Sequence, residues 1–387
     1  MTKRINSCLL MIGFLFISLP GMFAQIAFTN RTAELLTTTD YHSGVAIAVT
    51  DMNGDFLDDI IHLEDGRILH IEYQVPGGVF TNYEFGTVSN NSEWTICVAD
   101  VDNNGYGDVI TGGFYNDVKL FMSDNDGNSL TQSTLPGATI FCQASNFADI
   151  DNDGAVDIFV CHDDGPSRIW QNDGAGNFSM GDNMINLSIF PGIEDNSGNY
   201  GSVWTDFDSD GDLDLYIAKC RQGVNDPTDP RRINQLWIND GNNNYTEAAA
   251  AFNLNDGGQS WTTEFADIDN DGDFDALVTN HDVISKLYEN INNTTFVDIT
   301  AASGLNIGVL PIQGIMKDFD NDGFLDIIIA GSDHEVWRNN GNKTFTEIAN
   351  PFDSNDMESY AIGDLNHDGF LDVYGGYANI YTTPSNI

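Results

Sequence analysis

Asp149-Ile150-Asp151-Asn152-Asp153-Gly154-Ala155-Val156-Asp157 is the stretch on which the reading of this chain turns. The same nine-position pattern recurs with starts at Asp51, Asp100, Asp206, Asp267, Asp318 and Asp364, seven copies in all. Positions 1, 3, 5 and 9 carry side-chain oxygens in every copy. They are Asp51, Asn53, Asp55 and Asp59; Asp100, Asp102, Asn104 and Asp108; Asp149, Asp151, Asp153 and Asp157; Asp206, Asp208, Asp210 and Asp214; Asp267, Asp269, Asp271 and Asp275; Asp318, Asp320, Asp322 and Asp326; Asp364, Asn366, Asp368 and Asp372. Alternate side chains of a curved loop point to one centre. A purely hard-oxygen donor set suits Ca²⁺, with a position-7 carbonyl and water completing the shell, and not a soft metal. Up to seven Ca²⁺ ions are therefore expected.

Two simpler explanations fall short. Asp, Asn and Gly are common in tight turns, but a turn needs one or two of them and not four ligand-type residues at one spacing seven times over. Converging carboxylates without a cation would also raise one another's pKa values. An EF-hand closes with Glu at position 12 between two helices. Here the closing residue is Asp at position 9, followed by strand-like runs such as Asp157-Ile-Phe-Val160 and Asp326-Ile-Ile-Ile329. Position 6 is Gly in six copies, for a turn of positive φ, and Phe56 in the first. Asn53 and Phe56 together make the first loop the weakest expected site. Position 2 is apolar throughout (Met52, Val101, Ile150, Phe207, Ile268, Phe319, Leu365), as expected of an anchor in a core.

Motif starts are 49, 49, 57, 61, 51 and 46 residues apart, the period of propeller blades and not of short solenoid coils. Each unit reads as four strands: one before the loop, one after it, a third carrying an aromatic before Asn-Asp-Gly or Asn-Asn-Gly (Trp170, Trp237, Trp337), and a fourth opening on Phe178, Tyr245, Phe296 or Phe345. The expected fold is all-β: a seven-bladed β-propeller of four-stranded antiparallel blades with a calcium loop in each first hairpin. The chain stops soon after the seventh motif. Residues near 27–35, with Ala27-Phe28-Thr29 similar to Thr344-Phe345-Thr346, are expected to complete the last blade, because an open ring leaves an unpaired edge. Residues 378–384 lack the third-strand pattern, so either the C-terminus is truncated or Asn379-Ile380-Tyr381-Thr382 stands in for that strand.

Residues 1–24 read as a signal peptide: Lys3 and Arg4, then a largely apolar Cys8 to Phe23, then Ala24 before Gln25. The apolar run is short for a membrane span, and no later run is longer. The single propeller domain is then 25–387, secreted or at the cell surface, or periplasmic in a bacterium. Loss of the two leader cations takes the net charge from −45 to −47, and the ligand positions hold 25 of the 59 acids. Seven Ca²⁺ would leave about −33, which argues against nucleic acid and anionic membrane as partners. Four cysteines remain (Cys97, Cys142, Cys161, Cys220) without zinc spacing. Cys142 and Cys161 flank one loop and are read either as a disulfide or as buried thiols.

The Asp-x-Asp-x-Asp-Gly-x-x-Asp loops with their apolar following strands resemble FG-GAP, or VCBS, repeats. Those repeats build the seven-bladed propeller of integrin α-subunits and of many exported bacterial proteins. The stretches Asn199-Tyr-Gly-Ser-Val-Trp204 and Asp214-Leu-Tyr-Ile-Ala-Lys-Cys220 are also similar to the cartilage acidic protein (ASPIC/UnbV) branch, whose further C-terminal segment is absent here. The resemblance implies calcium at the matching positions and makes cell adhesion and ligand binding the themes to test.

In such a ring the calcium loops occupy one face. The long connections 181–201 and 219–233 fall on the other, where Lys219, Arg221, Arg231 and Arg232 form a candidate ligand-binding patch. These cations would meet an acidic glycan or extracellular protein, or else pair with the chain's own Asp226 and Asp229. Trp94, Trp261 and Tyr41 lie near the same face, either stacking on sugars or packing between blades. The leading reading is a non-enzymatic, exported, calcium-binding adhesion or ligand-binding module. The alternative is a calcium-dependent polysaccharide lyase or hydrolase on the same fold.

Overall fold

Each loop leads into a run that is buried on both faces of a sheet. Asp157–His162, Asp214–Lys219 and Asp326–Gly331 are solid apolar strands with almost no solvent-facing residue. Such a strand must sit inside a sheet and be covered on both sides. The computed structural model, which describes residues 26–36, 42–124, 127, 129–137, 139–187, 197–308, 310–331, 334–349, 352 and 357–376, places each as the second strand of a four-stranded blade. Blade three, for example, runs Cys142–Ala148, Asp157–His162, Arg168–Asn172 and Phe178–Met180, every neighbour antiparallel. Among the described residues there are six such sheets and a seventh of two strands, Ser359–Gly363 and Asp372–Gly376. The all-β propeller expected from the repeat is the observed fold. The leader 1–24, Tyr41 and the stretch 378–384 lie outside the described residues.

The ring closes through its core. The buried apolar side chains divide into seven clusters, each shared by two successive blades. Ile158 and Trp170 of blade three pack with Ile110 and Leu120 of blade two. Phe159 and Ile169 of the same blade pack with Leu215 and Trp237 of blade four. Alternation along each strand thus sends successive residues to opposite neighbours. All seven position-2 residues are buried, as their apolar character implied. First strands touch the first strands of the blades on either side, including Ile47–Thr50 against Ser359–Gly363, so they form the inner wall.

The N-terminal segment serves both sides of blade seven. Ile26 and Phe28 join the cluster between blades six and seven, where Phe28 stacks on Phe352 with ring centroids 4.9 Å apart and meets Phe319 edge-on. After a short helix, Thr32–Leu35, the side chains of Leu35 and Leu36 join Ile47, Ile60 and Tyr374 between blades seven and one. Residues 26–31 carry no strand pairing. The four cysteines among the described residues are free thiols, so the Cys142–Cys161 bridge is not formed. Cys161 pairs in register with Ala144, and Cys142 with His162.

Deleting 25–36 removes three buried apolar anchors worth roughly 1.5–3 kcal/mol each. Denaturant unfolding is expected to show a loss of about 5 kcal/mol or more. An unchanged midpoint and slope would contradict this role.

Candidate metal centres and the opposite face

The loops are organised by their own carboxylates. The position-1 aspartate accepts the N–H of position 5 on one oxygen at 2.9–3.2 Å in all seven copies. Its other oxygen accepts the N–H of position 6 at 2.8–3.1 Å. Position 5 in turn accepts from the N–H of position 7 at 2.8–3.1 Å. These turns need a left-handed residue twice. Position 6 has φ of 86–99° at the six glycines and 65° at Phe56. Position 4 is also left-handed in every copy (Gly54, Asn103, Asn152, Ser209, Asn270, Asn321, His367), a requirement written in its Asn and Gly content that the ligand-centred reading passed over.

Position 9 has a second role besides donating oxygen. In blades one to six its Oδ1 accepts the backbone N–H of a third-strand residue at 2.7–2.9 Å: Gln74, Ser123, Asn172, Asn239, Asn290 and Asn339. In five blades its Oδ2 accepts the position-2 N–H at 2.9–3.2 Å. The next blade grips the same loop. Asn172, Asn290 and Asn339 donate their side-chain amides to the position-2 carbonyls of Val101, Phe207 and Ile268, and the Tyr245 hydroxyl donates to that of Ile150. Across the closure, Asp364 N–H donates to Asp58 Oδ2 at 2.8 Å.

What remains is an inward-facing donor set. Carboxylate oxygens converge within 4.8 Å in five loops: Asp100, Asp102 and Asp108; Asp149, Asp151 and Asp153; Asp206, Asp208 and Asp210; Asp267, Asp269 and Asp271; Asp318, Asp320 and Asp326. Asp151 Oδ1, Asp208 Oδ1 and Asp214 Oδ2 are buried oxygens without a hydrogen-bond donor, as are Asn366 Oδ1 and Asp372 Oδ2 in the seventh loop. Buried acceptors left unpaired are costly, and a hard cation fits them. Burial, reinforced by neighbouring acids, pushes the position-9 carboxyls up to about 7 at Asp59, Asp275 and Asp326, about 8 at Asp214, and about 6 at Asp108, Asp157 and Asp372. The five triplets can hold a metal ion. Among the described residues the first and seventh loops, each with an Asn at position 3, form no such triplet.

On the opposite face the four candidate cations are held internally. Arg221 donates to Asp164 at 2.8 Å and Asp163 at 3.3 Å. Arg231 forks onto Asp229 at 2.7 and 2.9 Å, holding that carboxyl down at about 2, and Arg232 reaches Asp282 at 2.5 Å. Lys219 is buried. Five consecutive first strands carry a β-bulge near their start, at Trp94, Gln143, Tyr200, Trp261 and Ile312. Bulges re-aim side chains at barrel rims, and these lie at the end of the inner wall away from the acidic loops. Trp94 Nε1 donates to Cys142 O of the next blade, and Tyr200 stacks on Trp261 at 5.5 Å, so both tryptophans tie blades together while staying half-exposed. Phe114, Tyr115, Val283, Ile284 and Leu310 are exposed on the connections of this face. Cys220 Sγ lies 3.3 Å from His281 Nε2, but burial pushes the thiol up to about 11, so the pair is not an activated nucleophile.

Closed blades with an Asp-rich hairpin in each define a β-propeller of acidic repeats. The chain belongs to the FG-GAP-like repeat family, whose profile matches residues 100–160, 149–217, 206–278 and 318–375, more than half of the chain. Each matched window opens on a position-1 aspartate. The match is to the repeat family and does not single out the cartilage acidic protein branch. No curated protein matches in sequence. Among solved structures, BBS1N in complex with ARL6DN, soaked with lead, is similar at 11% identity and TM-score 0.54, with 88% of this chain and 90% of that one covered. The WD40 β-propeller domain of Doa1 is similar at 11% identity and TM-score 0.52, with 90% and 94% covered. At that identity the likeness is one of fold.

Two outcomes follow from the loop geometry. Phe56→Gly relieves a left-handed aromatic whose side chain is 89% exposed, and is expected to stabilise the protein by about 1–2 kcal/mol in chemical unfolding. The second concerns pH. A carboxyl whose folded pKa is raised favours folding below its unfolded value and loses that contribution as pH rises through the folded one. In chelator, the melting temperature is therefore expected to fall between about pH 4 and pH 8, and a hard divalent cation should diminish or reverse that fall. A chelated protein that gains stability across this window would refute the assignment.

Proposed function

We propose that this protein is an exported β-propeller, stabilised by calcium, that binds an extracellular glycan or protein through the face opposite its acidic loops. The observation that carries this reading is the division of labour between the faces. One face spends its carboxylates on loop geometry and on inward-facing oxygens of the kind Ca²⁺ prefers. The other gathers exposed Phe114, Tyr115, Val283, Ile284 and Leu310 around half-exposed Trp94, Tyr200 and Trp261. Because Arg221, Arg231 and Arg232 are already paired with acids, apolar and aromatic contact supports recognition here better than attraction of an acidic partner does. Aromatic faces of this kind suit sugar rings and protein hot spots alike. Export rests on the leader-like residues 1–24, and no helix among the described residues is long and apolar enough to cross a membrane.

The mature chain, screened on a glycan array and against surface proteins of its own source, is expected to capture a ligand. Phe114→Ala combined with Val283→Ser should weaken that binding about tenfold or more, with the melting temperature unchanged because both side chains are exposed. Full binding by the double variant would move the site elsewhere. New reducing ends or unsaturated uronates from an acidic polysaccharide would show turnover and replace this reading with an enzymatic one.

A further inference from the structure

The seven loops differ in one respect that their shared pattern conceals: among the described residues, two of them have a ligand-position acid in an ion pair with a cation of the protein itself. In loop six, the Arg338 guanidinium lies largely buried, donates through Nε to Asp320 Oδ2 at 2.7 Å, and donates through Nη2 to Asp322 Oδ2. Those acids are ligand positions 3 and 5. Arg338 stands on the third strand, one residue before Asn339, whose N–H is held by the position-9 Asp326. The residues at the same place in the other blades are Tyr73, Met122, Gln171, Ile238 and Glu289. Of these, Gln171 also donates into its loop, to Asp151 Oδ2 at 2.6 Å, but without charge. In loop five the cation comes from the next blade: Lys343 Nζ contacts Asp269 Oδ2 and Glu289 Oε1. Lys343 occupies, with positive φ, the hairpin position of Asn243, which in its blade donates to the backbone carbonyl of Asp151; Asn293, one position earlier in its own hairpin, donates likewise to that of Asp208.

A second observation runs the same way. Among the described residues, loops three and four hold buried carboxylate oxygens with no hydrogen-bond donor, Asp151 Oδ1, Asp208 Oδ1 and Asp214 Oδ2, and no ion pair reaches them; the seventh loop likewise leaves Asn366 Oδ1 and Asp372 Oδ2 without a donor. In loop five the one such oxygen is Asp269 Oδ2, which Lys343 approaches, and loop six has none. In loops three to five the converging acids are positions 1, 3 and 5, whereas in loop six they are positions 1, 3 and 9, with Asp322 turned to Arg338.

We propose that Arg338 is a built-in counter-cation that takes over part of the metal's charge in loop six, with Lys343 doing the same in loop five, so that calcium loading is graded and loops three and four fill first. This rests on the calcium reading above. A resident guanidinium repels an arriving Ca²⁺ and satisfies two of its ligands, so it lowers affinity, yet it keeps the loop closed when calcium is scarce.

The test is calcium titration of the chelated mature chain by calorimetry, with thermal melts in chelator and in saturating calcium, for the parent and Arg338→Gln. The variant is expected to gain about tenfold or more in affinity at one site. It should also melt lower than the parent in chelator and regain the parent's melting temperature in calcium. Equal loss of stability with and without calcium would mean a purely structural arginine and would overturn the proposal, as would unchanged affinity. Should Arg338→Gln not fold in chelator, Asp322→Asn in the parent background releases the guanidinium from one partner. Asp322→Asn must then weaken loop six much less than Asp153→Asn weakens loop three, and equal effects overturn the proposal. A parent that binds no calcium defeats the calcium reading itself; calcium binding that Arg338→Gln leaves untouched defeats only this inference.

Discussion

The rest of this ring depends on a carboxylate that, in five of the blades, has both oxygens committed to backbone. The position-9 aspartate sits at the first residue of each second strand, and in blades one to six it accepts an N–H from the third strand. In most it also accepts one from the start of its own loop. A side chain with two acceptors can close a loop and register a neighbouring strand at once, which an amide or a hydroxyl cannot do without offering a donor where only acceptors fit. The cost is a charge buried among other charges, visible in the upward shift of the carboxyl at Asp214 and Asp275. A hard cation would offset that cost, so the capacity for metal and the mechanics of the blade come from one residue.

The second constraint acts between blades. Each apolar cluster is shared by two sheets, and loops two to five are held by the hairpin of the following blade through Asn172, Tyr245, Asn290 and Asn339. The Asn that opens three of these hairpins is therefore an inter-blade fastener as well as a turn residue. Metal bound in one loop would stiffen the seam with the next blade, and the same face is thereby occupied by structure. On the proposed reading, recognition is left to the connections on the other side, where repeats diverge in length and sequence.

The sequence made the architecture legible because its decisive signals are local. Nine residues specify the loop, apolar position 2 specifies the anchor, and Trp170, Trp237 and Trp337 mark third strands that lie where the pattern puts them. The candidate ligand positions were legible for the same reason, and five loops do gather their acids. What the pattern did not convey is long-range. Arg232 meets Asp282 across 50 positions and Arg221 meets Asp164 across 57, so two cations of the apparent patch are spent on distant partners, while Arg231 takes Asp229, one of the acids offered for it in the sequence. The bulges at Trp94, Gln143, Tyr200, Trp261 and Ile312 arise from register between strands and have no single-residue signature. The left-handed position 4 is readable from Asn103, Asn152, Asn270 and Asn321, a residue type that adopts this backbone more readily than most.

The closure of the ring carries a consequence for how the chain reaches this state. Asp58 bonds to Asp364 across 306 positions, and Ile26 and Phe28 pack where blades six and seven meet. Ile26 and Phe28, which precede every blade in the chain, must wait, with apolar surface uncovered, until the final blades arrive. Contacts of such sequence separation are slow to form, and an unclosed ring presents two open sheet edges in the meantime. The high density of negative charge spread over every blade would keep such half-built rings apart from one another while they wait. The acidity that looks like a surplus beyond the needs of metal then acts during assembly, as protection against aggregation before the last seam is joined.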